Sequence, residues 1–94
     1  MEVNTYEHLL DVSELEPPEP LVQTIDKTLS LPEGNYLCML HRQEPCLLFG
    51  KLDELGYDYI QQTGTHNTEI EVYIWKQGDK LARQRVMQSI GDTP

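Results

Sequence analysis

The sequence predicts a small α+β domain: a two-layer α/β sandwich of order β-α-β-α-β-β, in which a four-stranded mixed sheet carries two helices on one face. Three observations support this fold class. The chain of 94 residues suffices for one domain with a single hydrophobic core. Two strand-like runs each precede a proline and a helical segment, and the right-handed crossover rule makes those strands parallel. The last strand-like run alternates in the way that is typical of a half-buried strand.

The first strand is predicted over residues 5–12, with Leu10 and Val12 directed toward the core. A proline-rich turn follows, and Pro20 suits the first position of a helix, where its missing N–H costs nothing. This helix extends to about Leu29. Its apolar residues fall at helical spacing and form one predicted core-facing stripe: Leu21, Val22, Ile25 and Leu29.

A tight turn at residues 31–34 leads to the second strand, residues 35–40. The continuous apolar character of this strand is typical of a strand that is covered on both faces, or of a central strand. Pro45 begins the second helix, which ends at Leu55 before the capping residue Gly56. The residues of this helix that are predicted to line one face are Leu48, Leu52 and Leu55.

Residues 57–63 and 69–76 are predicted to form the closing hairpin, with a polar loop at residues 64–67. One face of the last strand is apolar, and the other is polar and aromatic. The two sets are Ile70, Val72 and Ile74 against Glu69, Glu71, Tyr73 and Trp75. We assign residues 1–76 to the domain and residues 77–94 to a C-terminal tail. A weak apolar pattern in that tail allows a short helix: Leu81, Val86 and Ile90.

The chain is strongly acidic, with a formal net charge of −9. Such a surface repels phosphate backbones and anionic lipids, so we predict neither nucleic acid nor membrane as a partner. Acidic residues dominate residues 1–20, whereas Lys and Arg collect in residues 76–94. Either this asymmetry belongs to a solvated surface, or the basic tail docks on an acidic face of the same chain or of a partner.

The start of the chain has no signal-peptide pattern, and no apolar run reaches membrane-spanning length, so we expect a soluble cytoplasmic protein. Two cysteines, Cys38 and Cys46, cannot form a disulfide-dense scaffold, and we expect both to be reduced. Cys38 lies within a strand and is predicted to pack in the core.

A functional site is expected at the edge of the sheet where the two parallel strands end. The loops at residues 15–19 and 41–45 leave the sheet there, and each leads to a helix N-terminus. Candidate residues for binding a ligand or partner are Glu16, Pro17, Pro18, Glu19, His41, Arg42, Glu44 and Cys46. The sequence has no recognisable Ser/His/Asp arrangement, Gly-rich phosphate loop or catalytic carboxylate pair, so we predict no enzymatic activity and no cofactor.

The first of these loops resembles the opening of the TusA/SirA-like sulfur-carrier superfamily. That opening has a Leu-Asp pair, a later Leu, and a Cys-Pro-X-Pro motif at the start of the first helix. Here Leu10-Asp11, Leu15 and Pro17-Pro18-Glu19-Pro20 stand in those places. The resemblance covers roughly residues 8–76 and implies the α/β fold of that superfamily, because the later elements follow in the same order.

Within the superfamily, the chain looks closest to a branch in which the cysteine is replaced and a segment with histidine and proline follows the second strand, here residues 41–45. The resemblance implies that domains of this branch also occur beside hemerythrin-like metal domains in bacteria. Pro17 stands where sulfur carriers have the persulfide-forming cysteine. Proline has no nucleophile, so the sulfur relay does not carry over to that position. Only Pro18 and Pro20 carry over, as structural residues at a helix start.

Other interpretations of this edge stay open. Cys46, in the first turn of the second helix, is either a persulfide or redox thiol or a small residue packed under the loop. His41, Glu44 and Cys46, together with His8, either bind a metal ion or belong to an ordinary polar loop. His41 and Arg42 either bind a small anion or a partner's carboxylate or form plain surface.

We therefore expect a small non-enzymatic interaction or ligand-binding domain, whose partner is another protein or a small ligand. The partner would dock at the edge formed by residues 15–20 and 41–46. One alternative is a sulfur-transfer or redox carrier that uses Cys46, and another is a metal-binding accessory protein. Tyr73 and Trp75 on the outer face of the last strand need cover, either from the tail or from a second protomer in a homodimer.

Overall fold

The structure, a computed structural model, describes residues 6–43, 45–63 and 70–91. The elements in these parts of the chain are β1 (Glu7–Asp11), α1 (Glu19–Leu29), β2 (Tyr36–His41), α2 (Cys46–Leu55), β3 (Tyr57–Thr63), β4 (Ile70–Lys76) and α3 (Lys80–Gly91). The predicted loop at residues 64–67 and residue 69 of the last predicted strand lie outside the described residues. Within the described ranges, no helix combines the length and the apolar character that a membrane crossing requires.

The four strands of the described residues form one mixed sheet in the order β1-β2-β4-β3. β1 and β2 are parallel, with Leu10 beside Met39, as the crossover rule predicts. β4 runs antiparallel to both β2 and β3 and places Val72 opposite Met39. The prediction of an α+β domain with a four-stranded mixed sheet is therefore confirmed. β2 is a central strand, which explains why residues 36–40 are buried on both faces.

One face of the sheet packs against α1 and α2 and forms the first core. Its buried members are Val12, Leu37, Met39, Leu48, Leu52, Tyr57, Val72 and Ile74. Val72 and Ile74 point into this core as the alternation of the last strand predicts. Leu55, expected on the same side of α2, is the last residue of that helix and is 37% exposed.

α1 buries a different line of residues from the predicted stripe. Val22 and Leu29 are 46% and 55% exposed, so their predicted core positions are wrong. The residues that are buried or pack against the core are Pro20, Leu21, Thr24, Ile25 and Thr28. The most buried of these residues recur every four positions, which places them on one side of the helix. The predicted orientation of α1 would point the apolar stripe at the centre of the sheet. The observed helix is rotated about its own axis from that orientation by one residue step, about 100°.

The second face of the sheet is covered by α3, so the predicted two-layer sandwich with two helices is wrong. Ala82 and Val86 are the fully buried residues of this helix. They pack with residues of β2 and β4, namely Tyr36, Cys38, Leu40, Tyr73 and Trp75. The architecture is a sheet between two helical layers. Leu81, part of the weak apolar pattern in the sequence, is 47% exposed, so alanine and not leucine makes the close contact.

Tyr73 and Trp75 are 6% and 3% exposed beneath α3. The cover that these aromatic residues require is therefore supplied by the C-terminal segment of the same chain. A homodimer through this face would first have to displace α3 from the sheet.

Asp79 and Arg85 attach α3 to the turn that precedes β2. One carboxylate oxygen of Asp79 accepts the N–H of Ala82 at 3.0 Å and caps the helix, and the other accepts the N–H of Gly34 at 2.6 Å. Arg85 Nη1 donates to the carbonyl oxygen of Gly34 at 2.9 Å. Gly34 has φ of +83°, and a Cβ added there would stand 3.1 Å from Leu81 Cδ2. The backbone conformation thus favours glycine at this turn, and an added Cβ would also displace the Leu81 side chain slightly.

Candidate functional site

A cavity of about 330 Å³ opens at the edge of the sheet where β1 and β2 end. It lies between the β1–α1 connection and the β2–α2 connection, the two loops that the sequence predicts to meet. The lining residues are Pro17, Pro18, Pro20, Leu21, His41, Gln43, Pro45, Cys46, Leu47 and Leu48. Most of this lining is apolar, and His41 and Gln43 supply polar groups to it.

A second cavity, of about 360 Å³, lies at the opposite edge of the sheet between the turn before β2 and the start of α3. Its lining includes Glu33, Asn35, Lys76 and Asp79, and Asp79 is already engaged in attaching α3. We place the candidate site at the first cavity, although it is slightly smaller. It stands at the carboxyl ends of the parallel strands, where open α/β sheets bind ligands, and its lining is more apolar.

The β1–α1 connection is held in shape by its own side chains. Asp11 Oδ1 accepts the backbone N–H of Ser13 at 2.9 Å and the hydroxyl of Ser13 at 2.6 Å. These two hydrogen bonds lower the pKa of Asp11, and nearby His41 lowers it further. Pro17 and Pro18, which follow, are joined by a cis peptide bond. Because each proline ring fixes its own φ, this turn presents its rings at defined positions.

His41, the last residue of β2, is a polar residue of the cavity lining. Its Nδ1 accepts the backbone N–H of Arg42 at 2.9 Å. A backbone N–H can only donate, so the neutral imidazole carries its proton on Nε2. Partial burial lowers the pKa of His41, the charge of Arg42 lowers it further, and Asp11 opposes the shift. The lowered pKa favours the neutral form of the ring.

The start of α2 forms the other wall of the cavity. Cys46, the first residue of the helix, is exposed and unpaired with any other cysteine, whereas Cys38 is buried beneath α3. Leu47 is 80% exposed, and Leu48, at 1%, belongs to the first core. The carbonyl oxygen of Pro45 accepts the N–H of Leu48 at 3.0 Å and begins the helix. The wall thus runs from an exposed thiol and an exposed leucine down to the core.

Half of the predicted site residues line this cavity, namely Pro17, Pro18, His41 and Cys46. Three others are exposed and stand next to lining residues along the chain: Glu16, Glu19 and Arg42. Glu44 lies outside the described residues. The predicted set lacks the remaining lining residues, which are Pro20, Leu21, Gln43, Pro45, Leu47 and Leu48. All of these residues except Gln43 are apolar and lie at the starts of the two helices, directly after the loops. This position in the sequence is the signal that could have identified them.

Exposed carboxylates accompany the lining prolines along the chain: Asp11, Glu14, Glu16 and Glu19. Residues 6–26 contain neither Lys nor Arg, and the second loop contributes one base, Arg42. Exposed carboxylates therefore outnumber basic side chains on the described residues of these two loops. Such a surface attracts cationic groups and repels anions.

The metal hypothesis loses one of its predicted ligands, because His8 lies at the far end of the sheet. Its Nε2 is hydrogen-bonded to Asn35 Oδ1 at 2.9 Å, and it pairs with Leu37, four residues before His41 on β2. At about 3.3 Å per residue, the two histidines lie about 13 Å apart and cannot share one ion. Within the described ranges, no three His, Cys, Asp or Glu side chains are grouped so that they could hold a metal ion.

A comparison of the chain with protein-family models, with curated proteins and with solved structures found no match.

Proposed function

We propose that this chain is a small non-enzymatic interaction domain, which binds a partner in the cavity between the β1–α1 and β2–α2 connections. The observation that carries the proposal is the cavity itself, with its apolar lining and few polar groups. Binding pockets generally have this composition, in which apolar contact gives affinity and a few polar groups fix orientation. The neutral imidazole of His41 and the amide of Gln43 serve as the orienting groups.

Leu47 supports the proposal by its exposure. A leucine that is 80% exposed beside a concave apolar surface offers contact area that the fold itself does not use. Removing part of this side chain from water on binding would contribute about 1 kcal/mol. A single exposed leucine is ordinary on a protein surface, and it is the neighbouring cavity that gives this one a role.

The proposal is tested by titrating the ¹⁵N-labelled protein with p-cresol and 3-methylindole, which represent the side chains of tyrosine and tryptophan. We expect chemical-shift changes at the backbone amides of Gln43, Cys46, Leu47 and Leu48, with dissociation constants of about 1–10 mM. Leu47→Ala should weaken binding about fivefold.

Leu29→Ala is the matched control. This leucine is 55% exposed at the opposite end of α1 and does not line the cavity, so its replacement should leave binding unchanged. Shift changes that cluster at the cavity near Lys76 and Asp79, or that show no preferred location, would contradict the proposal.

A second candidate function is a sulfur-transfer or redox carrier, and the placement of Cys46 favours it. The thiol is exposed, lies at the first residue of α2 and lines the cavity. A helix N-terminus stabilises a thiolate, and a reactive thiol must be accessible. Cys38 is an internal control, because burial raises the pKa of its thiol to about 12.

Iodoacetamide labelling at pH 7 distinguishes the two candidates. A carrier should label at Cys46 much faster than free glutathione does, and protein purified without reductant should carry an additional sulfur atom on Cys46 by mass spectrometry. Labelling of Cys46 no faster than that of glutathione, with no sulfur adduct, would exclude the carrier function.

We also propose that the chain is a TusA/SirA-like domain that has lost the sulfur-carrier cysteine. The order of its first six elements and the Pro17-Pro18-Glu19-Pro20 sequence at the start of α1 support this relationship. α3 is an addition to the predicted pattern. A sulfur adduct on Cys46 would indicate that the carrier role has moved to the neighbouring helix.

A further inference from the structure

We infer that the partner of this cavity is a protein segment that presents one aromatic side chain flanked by lysine or arginine. This inference rests on the proposed function and goes further by naming the chemistry of the partner. Three features of the molecule support it: the size of the cavity, the nature of its lining and the charge around it.

The size of the cavity suits a single side chain. Its volume of about 330 Å³ is at the lower end of the range for small-molecule pockets, about 300–1,000 Å³. A dinucleotide or another large cofactor would not fit within it. One tyrosine or tryptophan would fill much of it, and such residues are the usual anchors of protein interfaces.

The lining suits a flat aromatic ring. Pro17, Pro18 and Pro45 present rigid rings, and the leucines at the start of α2 extend the apolar surface. Proline and aromatic rings pack against each other in proline-rich recognition, and here the cavity supplies the proline side of that contact. A buried tyrosine or tryptophan needs a partner for its polar atom, and His41 and Gln43 are the polar residues of the same lining.

The charge around the cavity selects basic flanks for that ring. Glu16 precedes Pro17, and Glu19 stands between Pro18 and Pro20, so both exposed residues are next to lining residues along the chain. The carboxylate of Glu19 also accepts a hydrogen bond from Gln23 Nε2 at 3.3 Å. Arg42 is the one opposing charge on the two loops. Because the carboxylates outnumber this guanidinium, lysine or arginine beside the anchor gains attraction, whereas an acidic flank is repelled.

The test uses N-acetylated, C-amidated heptapeptides with a central tyrosine that is flanked on both sides by lysine, by serine or by aspartate. A fourth peptide keeps the lysines and has a central alanine. In the ¹⁵N titration, we expect the lysine–tyrosine peptide to shift the lining residues and to bind about tenfold more tightly than the aspartate peptide. This preference should shrink between about 0.05 M and about 0.5 M NaCl, because salt screens exposed charges.

A double variant, Glu16→Gln with Glu19→Gln, should weaken binding of the lysine–tyrosine peptide about threefold to fivefold and leave p-cresol binding unchanged. Glu33→Gln is the matched control, since Glu33 is an exposed carboxylate at the opposite edge of the sheet. All three positions are exposed, so the variants should keep the circular dichroism spectrum of the parent protein.

Equal affinity for the lysine, serine and aspartate peptides would overturn the requirement for basic flanks. Equal affinity for the alanine peptide would overturn the aromatic anchor. Absence of peptide binding, or shifts away from the lining residues, would overturn the inference as a whole. The proposed function is judged separately by p-cresol and 3-methylindole, so a failure of the peptides alone leaves a binding cavity with a different partner.

Discussion

Replacing Asp79 by alanine should loosen the attachment of α3 to the sheet. The carboxylate caps α3 through the N–H of Ala82 and binds the N–H of Gly34 at 2.6 Å. Loss of a helix cap costs about 1 kcal/mol, and loss of a partly buried bond to a charged acceptor costs about 1–2 kcal/mol. We expect Asp79→Ala to lower the free energy of unfolding by about 2–3 kcal/mol.

Asp79→Asn separates the two contributions. Asparagine caps helices about as well as aspartate, so the hydrogen bond from Ala82 should persist. With that oxygen at the helix, the amide NH₂ faces the N–H of Gly34, and two donors cannot bond. We expect a loss of about 1–2 kcal/mol for this variant, between the parent protein and Asp79→Ala.

Urea denaturation followed by tryptophan fluorescence measures these effects. Trp75 is the single tryptophan of the chain and is 3% exposed beneath α3, so its emission reports directly on this helix. With a slope of about 1 kcal/mol per M, the midpoint for Asp79→Ala should fall by about 2–3 M. Asp26→Ala, on the exposed side of α1, is the control and should change stability by no more than about 0.5 kcal/mol. A change for Asp79→Ala no larger than that of the control would refute the proposed attachment.

The remaining predictions concern the turn before β2 and the walls of the cavity. Gly34→Ala should destabilise the fold by about 1–3 kcal/mol in the same assay, because φ is +83° and the new Cβ meets Leu81. Leu48→Ala should lower the free energy of unfolding by about 2–5 kcal/mol, since Leu48 is 1% exposed. Leu47→Ala should change it by less than about 0.5 kcal/mol. Similar losses for the two variants would contradict the assignment of Leu48 to the core and Leu47 to the surface. The pKa of His41 is lower in the folded state, so the unfolded chain binds its proton more readily. The neutral ring contributes to the free energy of unfolding at pH values above its pKa in the unfolded chain, about 6.5. This contribution is lost as the pH falls through the pKa of the ring in the folded state. In the His41→Gln variant, the free energy of unfolding should therefore decrease less between about pH 7 and pH 5 than in the parent protein. An equal decrease in both proteins would show that other groups cause the pH dependence.

The location of the cavity could be predicted because it depends on two local patterns and one topological rule. A continuous apolar run marks residues 36–40 as a central strand, and alternation fixes which side of residues 70–76 faces the first core. The crossover rule then makes β1 parallel to β2, so their following loops must leave the sheet at the same edge. Side chains of Pro17 and His41, far apart in the sequence, line one cavity for this reason.

The helical faces could not be predicted from hydropathy alone. α1 faces the sheet with Thr24 and Thr28, whose small side chains allow close approach but rank below leucine on any apolar scale. α3 is placed by Ala82 and by the polar contacts of Asp79 and Arg85 with a turn more than forty residues away in the chain. These contacts carry no helical periodicity, so the sequence pattern of the tail is weak although the helix is well packed.

The proline sequence at the start of α1 bears on the chemistry of the site as well as on its shape. A helix N-terminus binds anions through free backbone N–H groups. Here Pro20 has no N–H, and the N–H of Glu19 already donates to the carbonyl oxygen of Glu16 at 2.9 Å. The carboxylate of Glu19 also occupies the first turn, where it interacts favourably with the helix dipole. A small anion would therefore meet few donors and a negative charge at the start of α1, which is why we favour an apolar anchor with basic flanks at this wall of the cavity.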